Sequence, residues 1–267
     1  DIALGVGSTA ATVNDTQLGF EFYKSAVSMN SIDIQTDSST GISTYGVVHK
    51  TTIPVDIAGT INEVGLFPNV ILGSTDYASN SISTFEDNQS WTDSTGAYAS
   101  TTTTPFPKIG TSYLSIGAAA SQSKEYFYNF NLDVSGYSAL DSLTLAYYQS
   151  DTNLDYVFVR MYDSNNNYYE IRYAGDTSTG YKIKSLTLNN LYSSGYGSGT
   201  PDQTSIVKIS CGVKAKASGA TTVLFDGIRI NDEDSFRTDY GMISRSVLST
   251  PITKSLGKQM VIEYRLG

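Results

Sequence analysis

Apolar residues recur at every second position along much of this 267-residue chain, and that period leaves room for little besides β-structure. From Val207 to Lys216, Val207, Ile209, Cys211, Val213 and Ala215 point one way, while Lys208, Ser210, Lys214 and Lys216 point the other, as in a half-buried strand. The stretches Leu143 to Tyr148, Val157 to Tyr162, Tyr168 to Tyr173 and Val223 to Ile230 follow the same rule. They are rich in β-branched and aromatic residues and are separated by Asn, Asp, Gly and Ser clusters such as Asp163 to Asn167. Many short strands at this spacing predict a sandwich or jelly roll. One short helix is expected near the N-terminus, where Asn14 and Gln17 have capping-box spacing and Leu18, Phe22, Ala26 and Met29 fall at helical intervals.

Composition divides the chain. Residues 1–79 hold eight acids against Lys24 and Lys50, a net −6, whereas residues 80–230 carry 15 of the 20 Tyr and a net −3. The last 37 residues are neutral, with five acids and five bases. Polar runs at Gly73 to Ser83 and Asn231 to Asp234 mark two crossing points. The expected organisation is therefore a jelly-roll β-sandwich, residues 80–230, inserted into a small β-rich base domain made of 1–79 and 231–267 with one short helix. Overall the chain is acidic at −9, which argues against nucleic acid as partner, and 66 Ser and Thr supply much of its polar surface. No apolar run is long enough for a membrane span, and a lone Cys211 excludes a disulfide framework. No signal peptide is visible, and a start at Asp1 leaves room for an upstream segment.

Gly59 to Phe67, GTINEVGLF, follows a strand at Thr52 to Ile57 and predicts a hairpin turning at Ala58 and Gly59. The end of the chain, Pro251 to Leu266, alternates Met260, Ile262, Tyr264 and Leu266 against Val261, Glu263 and Arg265, a terminal strand expected on the same sheet. The order GVGST (Gly5 to Thr9), NDTQLGFEFYK (Asn14 to Lys24), GTINEVGLF and SRSVLSTPITKSLGKQMVIEYRL resembles a small β-rich domain of tailed-virus structural proteins, notably tail fibre and baseplate components. That resemblance covers residues 1–72 and 239–267 and skips the middle.

The middle has its own resemblance. FEDNQSW (Phe85 to Trp91), DVSGYSALDSLTLAYY and VLFDGIRI (Val223 to Ile230) are similar to segments of carbohydrate-binding-module jelly rolls, in which first and last strands pair around a structural calcium. The resemblance implies Glu86 and Asp226 as calcium ligands, with Asp87 a weaker third; both also fit ordinary turn carboxylates. If Val157, Val159 and Met161 face the core, Phe158, Arg160 and Tyr162 share the outer face with Tyr168, Glu170 and Arg172 of the next strand. Such a block could stack on a sugar and fix its hydroxyls, or serve as a solvated face or subunit contact. Trp91 fits a core plug better than a platform.

Catalytic signatures are sparse. His49 is the single histidine, no G-x-S-x-G elbow is present, and GYGSG (Gly195 to Gly199) lacks the ending of a phosphate loop. The two resemblances together imply a non-enzymatic virion protein of a tailed virus, in tail fibre, baseplate or head turret. Its base would dock into the particle among other virion proteins and copies of itself, in a symmetric homo-oligomer such as a trimer. Its jelly roll would be displayed outward for a host-surface glycan or a protein. A secreted or cell-surface carbohydrate-binding protein and a polysaccharide-degrading enzyme are the alternatives.

Overall fold

The computed structural model describes residues 1–15, 17–68, 81–87, 90–137, 141–231 and 242–266. Their strands are β1 (Ile2–Gly5), β2 (Glu21–Ser25), β3 (Met29–Thr36), β4 (Ser43–Ile53), β5 (Gly59–Leu66), β6 (Ser81–Ser83), β7 (Ser100–Thr102), β8 (Tyr113–Ala118) and β9 (Ser123–Leu132). They continue with β10 (Ser142–Gln149), β11 (Leu154–Asp163), β12 (Tyr168–Ala174), β13 (Gly180–Thr187), β14 (Ile206–Ala215), β15 (Thr221–Asn231), β16 (Ser244–Lys254) and β17 (Met260–Leu266). One helix, α1 (Leu188–Tyr192), lies between β13 and β14. The chain forms two compact units, one from Asp1–Ser79 with Ser235–Gly267 and the other Asn80–Asp234.

The second unit is an antiparallel sandwich. One sheet runs β13-β10-β15-β8-β7 with β6 also on β15, and the other runs β12-β11-β14-β9. Their inner faces meet in a core of Leu143, Leu145, Tyr147, Val223, Phe225 and Ile228 against Val157, Val159, Met161, Ile171, Ile209, Cys211 and Val213. Trp91 is a plug in that core, stacked on Tyr128 at 5.3 Å and packed on Phe85 at 4.9 Å. Cys211 is fully buried, which pushes its thiol up and leaves it inert. Between β11 and β12, Asp163 Oδ1 accepts the backbone N–H groups of Asn165 and Asn167 at 2.8 and 2.9 Å, and Asn166 takes a positive φ of 61°. The chain turns there because asparagine tolerates that backbone.

The first unit has two sheets, β16-β5-β1-β2 and β17-β4-β3, joined by a core of Ile2, Leu4, Ile53, Ile61, Leu66 and Tyr264. Here several expectations fail. The described residues of 14–29 form no helix: an Asp15-centred turn caps Thr12, and the chain then runs into β2, paired with β1. The backbone N–H groups of Gly19 and Phe20 are needed elsewhere, by Glu63 Oε2 and Oε1 at 3.0 and 3.1 Å, so a helical ladder cannot use them. Nor do β4 and β5 form a hairpin. Residues 54–58 carry the chain from one sheet to the other, where β5 lies between β1 and β16, and β17 pairs with β4 instead of β5. Of the polar run Gly73 to Ser83, residues 81–83 form β6, and the rest lies outside the described residues, as does most of Asn231 to Asp234.

Glu63 organises this unit. It is fully buried and also accepts Gly7 N–H at 2.7 Å, while Arg245 donates from Nε at 2.9 Å and Nη2 at 2.7 Å. Arg245 then reaches Asp15 with Nη1 at 2.6 Å. A Cβ on Gly7 would lie 2.5 Å from the Glu63 carboxylate, so only glycine lets the backbone come this close.

Candidate functional site

Strand pairing assembles a sixteen-position outer face on the β12-β11-β14-β9 sheet of the second unit. Because Val157, Val159 and Met161 point into the core, the side chains of Tyr156, Phe158, Arg160 and Tyr162 emerge on the other side of β11. Their partners on β12 are Ala174, Arg172, Glu170 and Tyr168, and on β14 they are Lys214, Gly212, Ser210 and Lys208. β9 completes the face with Ser123, Glu125, Phe127 and Asn129. The six residues singled out from sequence thus stand together in three cross-strand pairs, Phe158 with Arg172, Arg160 with Glu170 and Tyr162 with Tyr168.

Arg160 is the centre of this face. Its Nε donates to Glu170 Oε2 at 2.6 Å and its Nη1 to Glu125 Oε1 at 2.9 Å, while Arg172 Nε donates to Glu170 Oε1 at 2.5 Å. Ser210 Oγ adds a bond to Glu125 Oε2 at 2.9 Å. Burial works against the charge on Arg160, yet these carboxylates raise its pKa above the ordinary value. The cations also cap the rings: Arg160 lies 4.6 Å from the Phe158 centroid and 4.9 Å from that of Tyr168, and Lys208 lies 4.4 Å from Tyr162 and 5.0 Å from Phe127. Phe158 and Tyr162 are consequently buried, and they support the surface from beneath. The Phe158 ring occupies the space where a Cβ on Gly212 would stand, so this glycine holds the ring flat on the sheet.

The glycine-rich stretch Gly195 to Gly199 is a docked turn. Ser198 and Tyr168 exchange backbone hydrogen bonds at 2.9 and 3.0 Å, and a Cβ on Gly197 would come 2.5 Å from the Tyr168 carbonyl oxygen. This seats the half-exposed Tyr196 over Arg172, 3.6 Å from ring centroid to guanidinium carbon, with Tyr156 at 4.6 Å. Sequence reasoning did not identify Tyr196, Tyr156, Glu125, Phe127 or Gly212 as part of this block. The outward parity of Lys208 and Ser210 was visible, but which strands flank β11 was not.

Glu86 and Asp226 come to either end of one loop, residues 108–112. Glu86 accepts Thr111 N–H at 3.0 Å, Thr111 Oγ1–H at 2.7 Å and Ser112 N–H at 3.1 Å. Asp226 Oδ2 accepts Lys108 N–H and Ile109 N–H at 3.1 Å each and Tyr181 O–H at 2.6 Å. Asp226 is the extra residue where β15 slips register against β10, and its carboxylate is buried against the 108–109 loop and Tyr181. Burial pushes its pKa up to about 7 against the three hydrogen bonds, with Glu86 adding to the rise. Asp226 Oδ1 is buried and has no hydrogen-bond partner among the described residues. An orphaned carboxylate oxygen near a second carboxylate fits a hard cation such as Ca²⁺. Asp226 Oδ1 and the Glu86 carboxylate would be the oxygens to hold such an ion; among the described residues no cluster of three acidic, His or Cys ligands occurs, and Asp87 accepts a hydrogen bond from Ser90 Oγ at 2.7 Å.

His49 sits on β4 in the first unit, its Nδ1 2.6 Å from Asn30 Oδ1. It borders a cleft of about 270 Å³ lined mainly by Val27, Leu66, Phe67, Pro68 and Ile243, with no Ser or Cys nucleophile. No helix among the described residues is long and apolar enough to cross a membrane.

No family model matches the chain, and no curated protein matches it. Among solved structures it is similar to an exo-β-agarase, at 17% identity and a TM-score of 0.40 over 58% of this chain and 26% of that one. It is also similar to a carbohydrate-binding module specific for non-crystalline cellulose, at 13% identity and a TM-score of 0.37, covering 56% of this chain and 92% of the module. A family 30 carbohydrate-binding module of a cellulosomal cellulase from Clostridium thermocellum matches at 15% identity and a TM-score of 0.37, covering 69% and 98%. The chain thus spans about a quarter of the agarase's length.

Proposed function

We propose that this is a non-enzymatic display protein whose sandwich unit binds carbohydrate on the β12-β11-β14-β9 face and whose other unit is a docking base. The observation that carries the sugar-binding role is the lattice of fixed hydrogen-bonding groups around Arg160 and Arg172 with the accessible rings of Tyr168, Tyr156 and Tyr196 beside them. Sugars present apolar C–H faces and ordered hydroxyls, and such a lattice offers rings and polar groups already held in place, so little freedom is lost on binding. Both carboxylates of the face are bound by arginine, an arrangement suited to holding a ligand and not to the paired attack and protonation of glycoside cleavage. Ca²⁺ at Asp226 and Glu86 would brace the loop 108–112 against β15.

The proposal is tested by a glycan panel with the wild type and Tyr196→Ala. Tyr196 is 48% exposed, so its loss leaves the melting temperature nearly unchanged. Affinity should fall about tenfold, or about 1.4 kcal/mol, because both the ring and its grip on Arg172 are removed. Equal binding by the two proteins, or no binding by either, rejects the role.

The docking role is favoured by a bare apolar patch in the first unit. Ile32 (74% exposed) pairs across strands with Val47, and Ile34 with Tyr45 (67% exposed), on one face of the β17-β4-β3 sheet. The opposite face carries the ion pairs Arg265 to Asp33 at 2.8 Å and Lys50 to Glu263 at 2.7 Å. An apolar face without charges to steer a foreign partner suits a second copy of this chain in the symmetric particle of a tailed virus, the setting its sequence resembles. Sedimentation velocity should show an oligomer that Ile32→Asp with Ile34→Asp returns to monomer; a monomeric wild type at high concentration counts against docking by self-association.

A further inference from the structure

We infer that the glycan taken by this face is anionic, bearing carboxylate, sulfate or phosphate groups, and that Arg172 and Lys208 read its charge. The inference rests on the sugar-binding role proposed above. In a chain of net charge −9, the sixteen face positions hold four cations, Arg160, Arg172, Lys208 and Lys214, against two carboxylates, Glu125 and Glu170. Arg160 consumes much of that acidic charge, binding Glu170 and Glu125 together. The remaining cations are left in excess.

Arg172 gives only its Nε–H to Glu170; among the described residues its other N–H groups have no protein acceptor. Its guanidinium is held between the Tyr156 and Tyr196 rings, and its side chain is 32% exposed. A planar fork immobilised in this way matches carboxylate or sulfate without further ordering. Lys208 rests over Tyr162 and Phe127 and donates to Asn166 Oδ1 at 3.2 Å, while Lys214 donates to the Ser121 carbonyl at 2.8 Å. Both ammonium groups thus meet neutral oxygens. A neutral sugar chain laid over these three cations would strip their water and return no counter-charge, whereas an anionic one would offset that cost. Arg172 and Lys208 lie two strands and four residues apart, roughly 17 Å by strand spacing and rise. That spacing suits two charges on different sugars of one chain.

The 267-residue chain is titrated with oligogalacturonate and its methyl ester, a sulfated galactan and its desulfated counterpart, and polyglutamate. The acidic glycans should bind at least about tenfold tighter than their neutral counterparts at low salt, with the gap closing as salt screens it. Arg172→Gln and Lys208→Gln should each weaken the acidic glycans more than the neutral ones and so narrow the gap. Equal binding of charged and neutral forms, or variants that keep the gap, overturns the inference and leaves the sugar-binding role standing. Polyglutamate binding as tightly as the acidic glycans also overturns it, since charge alone would then suffice. Absence of binding to every sugar rejects both.

Discussion

Glu63→Ala is expected to cost the first unit about 3–5 kcal/mol, the range for removing one partner of a buried ion pair. The substitution leaves Arg245, whose side chain is only 6% exposed, with Asp15 in place of two carboxylates, and leaves the N–H groups of Gly7, Gly19 and Phe20 without their acceptor. Each unpaired buried donor adds to the loss. Hydrogen exchange reads the effect locally: amides of β1 and β5 should lose protection while those of β11 and β14 keep theirs. The double variant Glu63→Gln with Arg245→Met should be less destabilised than the two single variants summed, because it removes both charges together. Unchanged exchange in β1 and β5 of Glu63→Ala would show that the hub does not hold this unit.

The second large effect concerns Asp226 and is read by pH and calcium together. Its carboxyl has an ordinary value of 3.8 and is pushed up to about 7 in the fold. Between those values the folded state holds a proton that the unfolded state has lost, so stability falls as pH rises. The contribution is full below pH 4 and lost above pH 7, on the order of 4 kcal/mol for about three pKa units. In chelator, the melting temperature of the sandwich should therefore drop by roughly 10 °C across that window. Saturating Ca²⁺, held at the proposed site by the folded carboxylate form, should raise the melting temperature at pH 7.5. Asp226→Asn should abolish both responses, since the amide neither titrates nor offers the anionic oxygen. A wild-type profile as flat as that of Asp226→Asn, with no calcium shift, would remove the site.

Legibility in the sequence followed the regularity of the backbone. In β11, unbroken alternation placed Val157, Val159 and Met161 inward and Arg160 outward, as the structure has them. In β14 the same rule misassigned one end: Ile206 is the buried residue and Val207 is only partly covered, because the register slips between Ile206 and Lys208. At Asp226 a bulge shifts the phase by one, so Phe225 and Ile228, three apart, both face the core. Such slips arise from long-range pairing and leave no local trace. The expected N-terminal helix failed for a related reason, since Glu63, 43 residues beyond Phe20, claims the N–H groups that a helix would need.

The sequence by itself determined the β-class, the inward and outward parity of the regular strands, the buried thiol and tryptophan, and the six-residue core of the candidate face. Those properties depend on neighbours two residues apart, and chain geometry fixes them locally. Only the tertiary structure decided that Glu125 and Ser210 close around Arg160, that a glycine turn lays Tyr196 on Arg172, and that Glu63 and Arg245 meet across 182 residues. Each of those depends on which strand lies beside which, and that order is set by burial of the whole sheet, whose effect on one side chain cannot be read from its neighbours in sequence.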